Sequence, residues 1–224
     1  MVVVRMSKSK LPTKTDPVIR HFSLKDIRAN DDEGNYIEGH PAIYDQVTNI
    51  GGWFNEVIER GAFDNCNFDD VLFSVNHDLK KIPLARSRRN NGNSTMLLQV
   101  NETGLYIRAN LDVEKNNEAG ALYSAVKRGD IDGMSFIFFV DKEKWEEMDS
   151  DMPTRRIQKI KRVIEVSAVN FPAYAGTDIN ARDQGVMDSA KKALENARSQ
   201  LDNSKNELEV LQIRNQILMK LEEI

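Results

Sequence analysis

One cysteine, three histidines and six prolines stand in a chain of 224 residues. The lone cysteine, Cys66, rules out an intramolecular disulfide and with it a small secreted fold held by disulfides. It reads as a small buried or surface thiol, since Asn65 and Asn67 give it no nucleophile signature. With so few His and Cys, and no His-X-X-X-His pair, there is no ligand framework and no metal is expected. No glycine-rich phosphate loop occurs, so no nucleotide cofactor is expected either. Nowhere do 18 apolar residues follow one another, which leaves no membrane-spanning helix to expect. Met1-Val2-Val3-Val4 is too short for a signal-peptide core and is followed by Lys8, Lys10 and Lys14, so a reducing cytoplasm is the expected compartment. A cationic excess is also missing. Lys+Arg 31 against Asp+Glu 35 gives a net charge of −4, which argues against nucleic acid as the main partner. The local cluster Arg86, Arg88, Arg89 reads as a solvated loop or strand end, or as a contact for an acidic partner.

What is present suits one sizeable domain with an appendage. Residues 1–17 mix Lys, Ser, Thr and Pro without periodicity and read as a flexible tail. Period-two patterns follow at 21–27 and 36–44, with Pro41 marking an edge or bulge. Further strands are expected at 71–75, 83–88, 95–100, 105–113, 136–140, 155–160 and 163–169, separated by Asn- and Gly-bearing turns. Residues 171–174 would close the domain. Between 116 and 128, Ala119, Leu122, Tyr123 and Val126 recur at helical steps, and Gly129 stands at the C-cap position. Many strands with few helices give a mostly-β, α+β domain over 18–183. From 186 to 224 the character changes. Ala190, Leu194, Ala197, Leu201, Leu208, Leu211 and Leu218 approximate a heptad seam. As one helix, residues 187–224 would reach about 57 Å. This amphipathic helix either packs on the domain or serves oligomerisation or docking.

Three segments carry the chemistry. Ser74-Val75-Asn76-His77-Asp78 ends an apolar strand in a histidine. Asp132-Gly133-Met134-Ser135-Phe136 offers a hydroxyl after a glycine-bearing turn. Ile164-Glu165-Val166-Ser167 sets a carboxylate inside an apolar strand. Serine hydrolysis needs a nucleophile, a base and an orienting group, and these recur in different chain orders on unrelated folds. Here the order is His77, Ser135, Glu165, so only the fold could assemble them. From residue types alone each has a plain alternative. His77 could cap a strand, Ser135 could start one, Glu165 could face solvent, and Asp78 competes as the orienter. His21 and His40 read as surface or packing residues.

Six motifs in order resemble one family. They are Phe54-Asn55-Glu56-Val57-Ile58-Glu59-Arg60-Gly61-Ala62-Phe63, Val75-Asn76-His77-Asp78, Gly104-Leu105-Tyr106, Lys127-Arg128-Gly129-Asp130, Gly133-Met134-Ser135-Phe136 and Glu165-Val166-Ser167-Ala168-Val169-Asn170-Phe171-Pro172-Ala173-Tyr174. Over residues 18–183 the chain resembles the prohead maturation proteases of tailed bacteriophages, serine peptidases related in fold to herpesvirus assemblin. The resemblance implies a β-barrel surrounded by helices, with His77 as general base, Ser135 as nucleophile and Glu165 as third member. The herpesvirus enzymes carry a second histidine at the third position. Ile137 stands where the family often has glycine. The implied substrates are the scaffold segment of the major capsid protein precursor and the protease itself, cut in the host cytoplasm inside an assembling procapsid. A homo-oligomer is expected. The contrasting reading is a non-catalytic capsid assembly or scaffold module on the same fold. A small-molecule esterase is disfavoured, because no Gly-X-Ser-X-Gly elbow occurs.

Overall fold

A computed structural model describes residues 17–22, 26–30, 34–170 and 184–222. In chain order these hold β1 (Val18–Phe22), β2 (Arg28–Asn30), β3 (Tyr36–Ile43), β4 (Thr48–Ile50), β5 (Phe54–Ile58), β6 (Leu72–Val75), β7 (Ala85–Arg86), β8 (Met96–Val100), β9 (Gly104–Asn110), α1 (Asn117–Arg128), β10 (Gly133–Glu146), β11 (Thr154–Val169) and α2 (Gln184–Glu222).

The long strand β11 organises the larger sheet. On one side β10 runs antiparallel to it, from Gly133 opposite Val169 to Glu146 opposite Thr154. Its other side is shared by two parallel strands. β5 takes the first part, with Thr154 opposite Asn55, and β6 the last, with Glu165 opposite Leu72 and Ser167 opposite Ser74. β1 lines the far side of β10, with His21 opposite Ser135. β4 and β7 flank β5 and β6. The smaller sheet is antiparallel, in the order β2-β3-β9-β8.

The class is α+β, as expected, but the described residues form two sheets and no closed barrel. The larger sheet ends at β1 on one side and β4 on the other, and the smaller at β2 and β8, so each sheet keeps its edges. Its apolar faces are closed by packing. Phe73, Phe136, Phe138, Ile37, Leu105, Ile107 and Met96 meet in one core, with Ala119, Leu122 and Val126 of α1 sealing it. Each of these side chains larger than alanine contributes about 1.5–3 kcal/mol by leaving water.

Local chemistry explains most boundaries. Asn116 caps α1 by accepting from the N–H groups of Glu118 and Ala119, and Gly129 ends it at φ 79, a conformation glycine reaches without steric cost. Pro41 lies at the register shift between Gly39 and Ala42 in β3, where a missing N–H does no harm. Other expectations change. The strand expected at 21–27 starts earlier, as β1, and residues 23–25 lie outside the described residues. The strands expected at 155–160 and 163–169 are one strand, because β11 passes through exposed Lys161 and Arg162 without breaking. Ser135 is inside a strand, not before one. β2, β4 and β5 add to the expected set. The helix expected from 186 begins at Gln184 and so includes Gly185. Residues 1–16 and 171–183 lie outside the described residues.

Candidate active site

β6, β10 and β11 bring the three candidate residues together. The parallel register sets Ser74 of β6 beside Ser167 of β11, and the antiparallel register sets Ser135 of β10 on its other side. Directly opposed residues share a face of the sheet, so three serines form a row across it. Glu165, two residues before Ser167 on β11, shares that face. His77 lies just beyond β6, where the chain turns through two consecutive left-handed residues, Asn76 at φ 50 and His77 at φ 57. This turn is held by the Asn76 N–H to the Ala168 carbonyl, by the Asn170 N–H to Asn76 Oδ1, and by the His77 N–H to Ser167 Oγ. It folds the imidazole back over the sheet.

Ser135 Oγ lies 2.5 Å from His77 Nε2, and His77 Nδ1 lies 2.6 Å from Glu165 Oε2. With a proton on Nδ1 toward the carboxylate, Nε2 presents its lone pair to the hydroxyl. Glu165 is fully buried and the His77 side chain is 13% exposed. The other carboxylate oxygen, Oε1, accepts from Ser74 Oγ and Ser167 Oγ. Ser135 Oγ also lies 2.8 Å from the carbonyl oxygen of Arg20 on β1. A serine hydroxyl has one hydrogen to give, so Nε2 and this carbonyl compete for it.

Under the site lies a buried charge network. Arg20 donates to Glu56 through Nε at 2.5 Å and Nη2 at 2.9 Å, and Arg155 reaches Glu56 Oε2 at 3.0 Å and Glu143 at 3.0 Å. Burial pulls the Arg20 guanidinium below its ordinary value, against the opposing pull of Glu56. This network fixes β1, and therefore the Arg20 carbonyl, against β10.

The remaining candidates are elsewhere. Asp78 accepts from the Lys80 N–H in its own turn. His40 also meets a carboxylate, Asp26 at 2.6 Å, but its Nε2 faces the Asn101 amide at 3.1 Å. That is a histidine satisfied by two structural partners, as a packing residue would be. Arg86 pairs with Asp70 at 2.6 Å and Arg89 approaches Asp69 at 3.9 Å, so acids of the same chain answer two members of that cluster. Among the described residues no helix is long and apolar enough to cross a membrane. Ser74, Ser167, Arg20 and Glu56 were not singled out from the sequence. The available signal was a serine inside an apolar run, and for Ser167 its two-residue spacing from Glu165.

A family model described as caudovirus prohead serine protease matches residues 23–192. The chain belongs to that family. The prohead protease of Enterobacteria phage HK97 is 28% identical over 155 residues, which is 67% of this chain and 61% of that protein's length. Among solved structures, the bacteriophage T4 capsid assembly protease is similar at a TM-score of 0.39 and 14% identity, covering 70% of this chain and 99% of that one. All six motifs read from the sequence fall within the family match, and β1 lies before it.

Proposed function

We propose that this prohead protease family member is a serine endopeptidase with Ser135 as nucleophile, His77 as general base and Glu165 as the carboxylate that orients it. The observation that carries this is the continuous contact from Ser135 Oγ through His77 to Glu165, at 2.5 and 2.6 Å. As Oγ attacks the scissile carbonyl carbon, its proton passes to Nε2. Glu165 keeps the opposite Nδ1–H and stabilises the imidazolium. Nε2 then returns the proton to the leaving amine, and water, deprotonated by the same nitrogen, releases the acyl group. The candidate oxyanion donors are the backbone N–H groups near Ser135 and those of residues 173–177, the latter outside the described residues.

The substrates in this reading are the scaffold segment of the major capsid protein precursor and the protease itself. In this reading residues 18–183 act as the peptidase domain, and the segment 186–224 docks on scaffold or self-associates. The chain acts as a homo-oligomer in the host cytoplasm, inside the assembling procapsid. Intact mass over time, for the chain alone and with the capsid precursor of the same genome, tests this beside Ser135→Ala. Defined fragments with the parent and none with the variant are expected. Glu165→Gln should slow cleavage by about 10³–10⁴-fold. Fragments from neither parent nor variant, with precursor folded and assembled, would favour a non-catalytic assembly module instead.

A further inference from the structure

The catalytic reading uses one oxygen of Glu165 and leaves the other to be explained. Oε2 faces His77, while Oε1 accepts from two serines on adjacent strands, Ser74 and Ser167, whose hydroxyl oxygens are 2.7 Å apart. We propose that Ser74 and Ser167 are positioning residues that hold Glu165 on His77, with Ser167 also anchoring the histidine from its backbone side. This rests on the catalytic reading of Ser135, His77 and Glu165.

A fully buried carboxylate needs hydrogen-bond donors in place of water. Among the described residues, those of Glu165 are His77, Ser74 and Ser167. The terminal torsion of a glutamate is broad and two-fold. Tying Oε1 to two fixed hydroxyls therefore decides where Oε2 points. Those hydroxyls are themselves fixed, because Ser74 and Ser167 are opposed in the β6–β11 register and are buried. Ser167 does two jobs with one oxygen. Its hydrogen goes to Glu165, and its lone pair takes the His77 N–H at 2.9 Å. The histidine is thus located at its backbone by Ser167 and at its ring by the carboxylate that Ser167 orients. Alanine would fill much the same space at either position, but alanine at both would leave Oε1 without a donor.

The test uses the full chain labelled with ¹⁵N-histidine. The chain has three histidines, so the spectrum is sparse, and His77→Gln assigns the far-downfield Nδ1 proton held between His77 and Glu165. Diisopropyl fluorophosphate supplies the second readout. Its phosphorus bonds to Ser135 Oγ as the P–F bond breaks, fluoride leaves, and the hydroxyl proton passes to Nε2. In Ser74→Ala and Ser167→Ala the downfield proton should broaden or shift. The maximal inactivation rate should fall about tenfold in each, with the reagent's half-saturation concentration unchanged. Both changes should be larger in the double variant. Ser74→Cys and Ser167→Cys keep a hydrogen-bond donor, weaker and on a larger atom; they should fall between serine and alanine, and they serve if an alanine variant does not fold. Variants that fold, label at the parent rate and keep the downfield proton would overturn the positioning role and leave the triad standing. Absence of that proton in the parent, together with phosphorylation insensitive to Ser135→Ala, would overturn the catalytic reading and this proposal with it.

Discussion

Glu56 accepts from both Arg20 and Arg155, and all three side chains are buried. Removing one partner of a buried ion pair costs about 3–5 kcal/mol, because the charge left behind keeps its desolvation penalty. Glu56→Gln should therefore lose stability in that range in a urea titration, since Arg20 would lose its carboxylate while Arg155 keeps Glu143. The Cys66 thiol makes a different prediction. Burial pushes its pKa up to about 12. At pH 8 only about one molecule in ten thousand is then thiolate, the reactive form. Because the raised value favours the neutral thiol, labelling by a disulfide reagent should be very slow at pH 8, rise about tenfold per pH unit, and become rapid only on unfolding. At this scale the candidate residues were legible through the six motifs taken in order, because residue types alone left His77, Ser135 and Glu165 each with a plain alternative. Ser74 and Ser167 were not, because a serine in a strand has the same composition whether it faces solvent or a buried carboxylate. Glu56 was hidden for a related reason. A polar residue in a short run argues against a buried strand, and the two arginines that reverse that argument are 36 and 99 residues away.

Strands and turns set the next group of expectations. Gly104 begins β9 at φ 155, and a Cβ there would stand 2.1 Å from the Ala42 carbonyl oxygen. That oxygen is backbone and cannot rotate away, so Gly104→Ala should cost about 3 kcal/mol or more by displacing β9 from β3. A fall in melting temperature with no loss of helical signal would fit. The turn at Asn76 and His77 is the second strained element. Non-glycine residues in the left-handed region cost about 1–2 kcal/mol each, and asparagine is among the few that tolerate it. Asn76→Ala also loses the bond from the Asn170 N–H. It should destabilise the protein by about 1–2 kcal/mol and slow Ser135 labelling by moving His77. Helix α1 was readable to within a residue, since period, N-cap and C-cap agreed. β11 was readable as two pieces, because two exposed charged residues in mid-strand look like a turn. The sheet pairing was not legible, for β5 and β6 join the same strand from distant parts of the chain.

On the scale of the whole molecule, α2 is held at one end. Ala190 and Leu194 pack with Ile50 and Phe54, supported by Trp53, Trp145 and Met148, while residues 202–214 are exposed throughout. Limited proteolysis should cut first beyond Leu201 and leave the sheets intact. Leu194→Ala, worth about 2–3 kcal/mol of docking, should move the first cut toward residue 190. Truncation after Leu201 should spare peptide cleavage while abolishing incorporation into procapsids. Loss of both together would refute a separate role for the helix. The sequence pattern made this helix plain but could not say where it would rest, because its narrow seam suits a partner as well as its own domain. From Leu194 to Glu222 the rod extends about 42 Å, and its anchored end lies against β1. Seen as a machine, it is a lever arm clamped beside the strand whose Arg20 carbonyl rivals His77 for the serine's hydrogen. Whatever pulls on the far tip bears first on the elements beside its anchor, β1 among them.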